Sequence, residues 1–224
     1  PTPAKVEDTP LSPEEQQMVN EFAKKIDITN SQMVLQYGAA SQKKLSDFSD
    51  NALSLFNNKD MGETGELITN LITELKGFDA TEKEDRGFFG NLFRKTQYNI
   101  ESMKTRYEKA DVNVERIKAQ LEDHQVVLMK DITMLDKMYQ LNLVYFKELT
   151  MYILAGKKKL EEVRGGELKE ANAKAQRTQL PEDAQAARDL ADMCDRFEKK
   201  LYDLQLTRNI SIQMGPQIRL IQAN

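Results

Sequence analysis

The sequence of 224 residues has few side chains that could bind a metal or act as a nucleophile: it contains one cysteine, one histidine and no tryptophan. The single cysteine, Cys194, excludes an intramolecular disulfide framework and a cysteine-based metal cluster. Cys194 and His124 are distant in sequence and match neither a Cys–His nucleophile pair nor a zinc-binding pattern. Because no glycine-rich phosphate loop occurs either, we expect a protein that is not an enzyme and holds no cofactor or metal.

Long apolar runs and an excess of positive charge are also absent. No stretch reaches the roughly 18 apolar residues that a transmembrane helix needs. Residues 1–11 are polar, contain three prolines and lack the apolar region of a signal peptide, so we predict that they are disordered. The net charge of −4 gives no general attraction to nucleic acid. These features predict a cytoplasmic protein without a nucleic-acid partner.

The most prominent pattern in the sequence is a helical repeat of apolar residues. Between Asn91 and Ala155 there is neither glycine nor proline, and apolar residues recur at steps of three or four, which keeps one face of a helix continuous. A helix that ended near Arg164, before Gly165 and Gly166, would be roughly 100 Å long. The positions of this stripe are Phe93, Thr96, Ile100, Met103, Tyr107, Ala110, Val114, Ile117, Leu121, His124, Leu128, Ile132, Leu135, Tyr139, Asn142, Phe146, Leu149, Ile153, Gly156, Leu160 and Val163.

The N-terminal part carries its own helix signals. Ser12, Pro13 and Glu15 form a capping box with proline at the first helical position, and a second start lies near residues 29–31. A further amphipathic helix is predicted over 67–75. We therefore predict an N-terminal helical cluster over 12–77. The apolar and small residues that follow the second start at stripe spacing are Val34, Gly38, Ser41, Leu45, Phe48, Ala52 and Leu55.

A later helix is predicted to fold back on the long one. Pro181 opens it, and Gly215 and Pro216 are expected to end it. No strand pattern occurs, so the predicted fold is all-α: an elongated helical bundle whose residues 88–214 form a long antiparallel coiled-coil-like helical hairpin. Residues 215–224 would begin a truncated C-terminal segment. The predicted buried face of the later helix consists of Ala186, Leu190, Met193, Phe197, Leu201 and Leu204.

Several polar residues interrupt the apolar stripes. His124 and Asn142 are expected to be buried, hydrogen-bonded positions that fix the helix register. Arg196, Arg208 and Arg219 allow two interpretations. They form ion pairs with carboxylates on the long helix, or they form a binding site for an oxyanion or for a partner's carboxylate, because arginine offers a rigid fork to oxyanions.

Several segments resemble the TelA family of toxic anion (tellurite) resistance proteins. The resemblance is carried by residues 37–38 (YG), 42–48 (QKKLSDF), 62–65 (GETG), 142–156, 195–198 (DRFE), 203–208 (DLQLTR) and 213–222 (QMGPQIRLIQ). It covers roughly residues 14–222. It implies a bacterial cytoplasmic protein associated with tellurite resistance, with no known enzymatic activity or cofactor. Family members continue well past the last of these segments.

The leading hypothesis is a helical scaffold that works through protein partners in the bacterial response to toxic anions. Direct binding of an oxyanion by Arg196, Arg208 and Arg219 is the first alternative. The second is peripheral association with the inner membrane through residues 87–95, where Phe88, Phe89, Leu92 and Phe93 stand beside basic residues. A reductase ranks last because the sequence indicates no redox cofactor. The sequence leaves open whether the apolar stripe is covered within one chain or in a homo-oligomer.

Overall fold

The computed structural model describes residues 11–57 and 132–223. In these two ranges the chain forms helices and no strand, which confirms the all-α prediction. The predictions for residues 1–10, for the helix over 67–75, for residues 87–95, for the first part of the long helix and for His124 lie outside these ranges. The helices are, in chain order, α1 (Pro13–Lys25), α2 (Ser31–Gln36), α3 (Ala39–Asn57), α4 (Ile132–Gly165), α5 (Glu167–Thr178) and α6 (Pro181–Ala223).

The helix boundaries follow the local signals of the sequence. At the start of α1 the hydroxyl of Ser12 accepts a hydrogen bond from the backbone N–H of Glu15 at 3.1 Å. In return, the Glu15 carboxylate accepts from the N–H of Ser12 at 3.0 Å, so the predicted capping box is confirmed. Helix α4 ends at Gly165 and α6 begins at Pro181, both as predicted.

The chain divides into two compact units. Unit 1 contains the described residues 43–57, 132–146 and 209–223, whereas unit 2 contains Leu11–Gln42 and Lys147–Arg208. Helices α3, α4 and α6 each contribute residues to both units. Leu45 and Phe48 of the N-terminal stripe, and Phe146 and Leu149 of the long one, are buried, as amphipathic helices require.

Within unit 2, α4 and α6 run antiparallel. Arg164, near the end of α4, contacts residues 195 and 198 of α6, whereas Thr150, a few turns earlier, contacts Arg208. Gly156 lies between these two levels, against Phe197 and Leu201. The fold-back of α6 on α4 is therefore present in this unit, while the coiled-coil supercoil and the elongated shape remain predictions.

Helix α4 buries more than the single stripe that its sequence shows. Leu149, Ile153 and Gly156 are buried as predicted, but so are Met151 and Ala155, whose exposed fraction is 0%. The two sets project from different sides of the helix, because residues two apart are about 200° apart around its axis. Lys147, one turn before Met151, contacts Glu15 of α1, so this second buried side faces α1.

Unit 1 contains a buried polar residue among apolar ones. The rings of Phe48 and Tyr145 lie with their centroids 5.7 Å apart. Beside them Asn142 is fully buried, with an exposed fraction of 0%. It donates from Nδ2 to the backbone carbonyl of Ser211 at 2.8 Å, so it links α4 to α6 as a buried, hydrogen-bonded position.

Helix α6 differs from the prediction at its end and in part of its buried face. Phe197, Leu201 and Leu204 are buried as predicted, whereas Leu190 and Met193 are only half-buried. The helix does not stop at Gly215 and Pro216 but continues to Ala223, with Pro216 inside it. Pro216 lacks the N–H that would bond one turn back, yet Met214 and Ile218 on either side are buried. We infer that their burial outweighs the lost bond and the steric clash. The predicted core residue Ala186 is exposed and Ala187 is buried instead, because both positions fit a step of three or four residues to Leu190.

Candidate functional site

The three arginines that the sequence singles out all lie in α6. Arg196 is exposed and Arg208 is half-buried, whereas the side chain of Arg219 lies outside the described residues. Arg196 and Arg208 are twelve positions apart, which corresponds to roughly 18 Å along a helix and about 120° around it. The structure therefore does not bring these two guanidinium groups to one small anion.

Arg208 is an arginine of this group whose side chain contacts a neighbouring helix. Its Nη1 donates a hydrogen bond to the hydroxyl of Thr150 in α4 at 3.2 Å, and burial lowers the pKa of its guanidinium. The adjacent Thr207 accepts a hydrogen bond from Gln42 Nε2 in α3 at 2.8 Å. A cation that has lost part of its hydration gains more from a nearby anion than a solvated one does. Of the two described arginines of the predicted site, Arg208 is the better candidate for an oxyanion.

The ion pair between α4 and α6 uses a different arginine from those predicted. Arg164 Nη2 lies 3.0 Å from Asp195 Oδ1 and 2.5 Å from Glu198 Oε2. The hydrogen bond that Arg164 donates to the Glu198 carboxylate is the largest of the effects that raise the pKa of Arg164. The sequence hypothesis placed the cation on α6 and the carboxylates on the long helix; here the positions are reversed. The signal that could have found this pair is the alignment of Arg164 with residues 195 and 198 in an antiparallel hairpin.

An aromatic cluster in unit 2 consists of Phe22 in α1, Tyr37 at the end of α2, Tyr152 in α4 and Phe197 in α6. The centroids of Tyr37 and Phe197 are 5.0 Å apart, and those of Tyr37 and Tyr152 are 5.2 Å apart. The hydroxyl of Tyr37 donates to the backbone carbonyl of Tyr152 at 2.6 Å. Burial raises the pKa of Tyr37 well above its ordinary value. Its hydroxyl therefore stays protonated, and we assign Tyr37 to packing.

The outward side of α6 carries apolar side chains that sequence reasoning missed. Tyr202 is 60% exposed and Leu206 is 49% exposed. They are four positions apart and therefore lie on one face of the helix. The buried residues Phe197, Leu201 and Leu204 occupy the opposite side. Tyr202 and Leu206 lie outside the buried stripe in the sequence, and this was the signal that could have found them. Two large apolar residues one turn apart on a solvated face form a small exposed patch.

Within the two described ranges no group of His, Cys, Asp and Glu side chains is arranged to hold a metal ion. Cys194 is fully buried, and burial raises the pKa of its thiol. It packs as a small apolar residue there. Among the described helices, none combines the length and the apolar character needed to cross a bilayer.

The comparison with protein families places this sequence in a known group. The family model described as toxic anion resistance protein (TelA) matches residues 19–224. This chain belongs to the TelA family. The resemblance stated from the sequence is thereby confirmed, and no solved structure matches the chain.

The chain is similar to several bacterial TelA-like proteins. A TelA-like protein of Staphylococcus epidermidis is 36% identical over 214 residues, which cover 95% of this chain and 57% of the relative. An uncharacterized protein of Listeria monocytogenes is 37% identical over 90% of this chain and 51% of its own length. The uncharacterized protein YaaN of Bacillus subtilis is 34% identical over 95% of this chain and 56% of its own length. The chain thus spans about half the length of the curated relatives it matches.

The residues that carry the TelA resemblance are largely packing residues in the structure. Tyr37 belongs to the aromatic cluster, and Gly38 lies under the side chain of Leu204. Gly156 gives Leu201 room to approach α4. Asn142 links two helices. The TelA-like segments therefore describe how the helices fit together. Among their charged residues, Arg208 is half-buried and contacts Thr150 of α4.

Proposed function

We propose that this chain is a non-enzymatic helical interaction protein that acts in the bacterial cytoplasm in resistance to toxic anions such as tellurite. Membership of the TelA family supports the role in toxic anion resistance. The observation that carries the scaffold role is the exposed apolar pair Tyr202 and Leu206 on α6. Because the chain spans about half of its relatives' length, this proposal concerns the part of the protein that the chain represents.

The outward side of α6 is suited to a protein partner. Its inner side is fixed against α4 by Phe197 and Leu201, so a partner that contacts Tyr202 meets a pre-formed helix. Binding to an ordered surface avoids the entropy cost of folding it at the same time. Exposed tyrosine is also enriched where protein partners bind, since it offers a large apolar ring and a polar hydroxyl.

Replacing Tyr202 and Leu206 together by serine is expected to abolish partner binding and lower tellurite survival. The free energy of unfolding should change by less than about 1 kcal/mol, since both side chains are on the surface. Survival is measured in cells whose tellurite resistance depends on this protein, and partners are captured by crosslinking in the same cells. Leu35→Ser is the matched control, because Leu35 is 73% exposed on another helix of unit 2. Full survival and an unchanged crosslinking pattern in the Tyr202 and Leu206 variant would remove the proposal.

A second candidate function, direct binding of an oxyanion, is favoured by the partly desolvated guanidinium of Arg208. Isothermal titration with millimolar tellurite or phosphate should then give heat that disappears in Arg208→Ala. Arg208→Lys should bind more weakly than the unchanged protein, because a lysine lacks the planar fork. Arg196→Ala is the control on the same helix, where the side chain is exposed. No heat with either anion, or equal heat in Arg208→Ala, would exclude this function.

The proposed peripheral contact with a membrane depends on residues 87–95, which lie outside the described ranges. Flotation of the protein with vesicles of anionic lipid separates this alternative from the scaffold role. The scaffold role predicts that the protein remains unbound to the vesicles.

A further inference from the structure

One turn of α4 in unit 2 carries polar side chains that contact three neighbouring helices. It consists of residues 147–150. We refer to residues 147–150 as the polar turn. It contacts α1, α3 and α6, and a further bond joins α3 to α6 at the same level. The four side-chain links join Lys147 to Glu15, Ser41 to Glu148, Arg208 to Thr150 and Gln42 to Thr207.

These links are buried or partly buried. The exposed fraction is 6% for Glu15, 2% for Ser41 and 9% for Thr207. The next turn of α4 is apolar and buried, with Met151 and Ile153. A fully apolar turn at 147–150 would thus have continued the core on both sides of α4.

One of the four polar links is an ion pair, and the other three are hydrogen bonds. Lys147 and Arg208 supply two positive charges, and Glu15 and Glu148 supply two negative ones. The Lys147 ammonium lies 3.2 Å from Glu15 Oε1, and Glu148 accepts the Ser41 hydroxyl. Each of the four links joins a donor to an acceptor on another helix. Such pairing is directional, whereas apolar side chains pack against many alternatives with similar energy.

We propose that the polar turn fixes the register of α1, α3 and α6 on α4. A shift of α1 by one helical turn would leave the carboxylate of Glu15 buried without Lys147. A shift of α3 would leave Glu148 without Ser41. Burying the Glu15 carboxylate without its cation, or the Ser41 hydroxyl without its acceptor, is unfavourable, so the shifted arrangements are disfavoured. A partly buried ion pair adds little to the free energy of unfolding by comparison with apolar packing. The contribution of the pair is therefore to favour one register of the helices over the shifted ones.

The test neutralises the link between α1 and α4 without removing the helix cap. Glu15→Gln with Lys147→Met removes both charges, and glutamine still accepts the bond from the N–H of Ser12. Register is then read by crosslinking two cysteine pairs with a short bis-maleimide, whose spacer takes the place of the long lysine side chain. One pair, Asn20→Cys with Lys158→Cys, replaces side chains that are hydrogen-bonded at 2.8 Å. The other pair, Asn20→Cys with Glu162→Cys, reports a shift of one turn.

In the chain with an unchanged polar turn, the crosslink between positions 20 and 158 should dominate. In the Glu15→Gln and Lys147→Met background, the ratio of shifted to in-register crosslink should rise roughly tenfold, the effect of losing one buried charged hydrogen bond. Lys147→Met alone should lower the thermal midpoint, and adding Glu15→Gln should restore it. Cys194 is buried, so its thiol does not compete for the introduced cysteines.

The control removes an ion pair on another side of α4. Arg164→Met with Glu198→Gln removes an exposed contact with α6 and should leave the ratio unchanged. An unchanged ratio in the Glu15→Gln and Lys147→Met background would overturn the proposal, since apolar packing would then set the register. Loss of the helical circular dichroism signal in that background would overturn it as well, because the link would then be needed for folding.

Discussion

Phe197→Ala is expected to lower the free energy of unfolding by about 3–5 kcal/mol. Phe197 has an exposed fraction of 0%. Its ring contacts Tyr37 with a centroid separation of 5.0 Å and lies beside Gly156 in α4. Truncation removes apolar contacts with two helices at once and leaves a cavity that the surrounding helices can fill only in part. Urea denaturation followed by circular dichroism measures the change.

Tyr202→Ala is the matched control for this substitution. Tyr202 is an aromatic residue of the same helix that is 60% exposed, so the change should stay within about 0.5 kcal/mol. Equal effects at the two positions would contradict the assignment of Phe197 to the core of unit 2. A small effect at both positions would show that α6 is not packed on α4 as described.

Gly38→Ala is expected to cost about 2–4 kcal/mol, from two separate causes. Gly38 has a φ of +67°, a left-handed conformation that a residue with a Cβ adopts only at a cost. In addition, a Cβ at this position would lie 2.8 Å from Leu204 Cδ1. Because Leu204 is itself fully buried, it has little room to move away. The same denaturation measurement applies.

Gly165→Ala is the control for the glycine substitution. Gly165 ends α4 without a positive φ, and a Cβ there would meet nothing within 4 Å. The change should therefore cost nothing and could add up to about 1 kcal/mol through helix propensity. Gly38→Asn separates the two causes at position 38, because asparagine tolerates the left-handed conformation better than alanine does. If Gly38→Ala were as stable as the unchanged protein, the result would contradict both the left-handed conformation of residue 38 and its close contact with Leu204.

The resemblance from sequence identified the family, but it could not assign roles to the residues that carry it. Tyr37 and Gly38 were visible as a motif, yet their role depends on Tyr152 and Leu204, which are more than a hundred positions away. The candidate arginine site was only partly predictable. The sequence singled out Arg208, which contacts Thr150 of α4, whereas the pairing of Arg164 with Asp195 and Glu198 was missed. That pairing depends on the alignment of two helices, which neither helix encodes alone.

Local chemistry in the sequence determined the helices of the described ranges, their starts and most of the residues that they bury. The capping box at Ser12, the stop at Gly165 and the start at Pro181 act over a few residues, so they can be predicted from neighbouring residues. Tertiary structure decided the rest. The second buried side of α4, the passage of α6 through Pro216 and the exposure of Tyr202 follow from which helices pack together. The packing depends on the apolar surface that many side chains, distant in sequence, bury together. A helical repeat specifies which face of a helix is apolar, but it does not specify which helix covers that face.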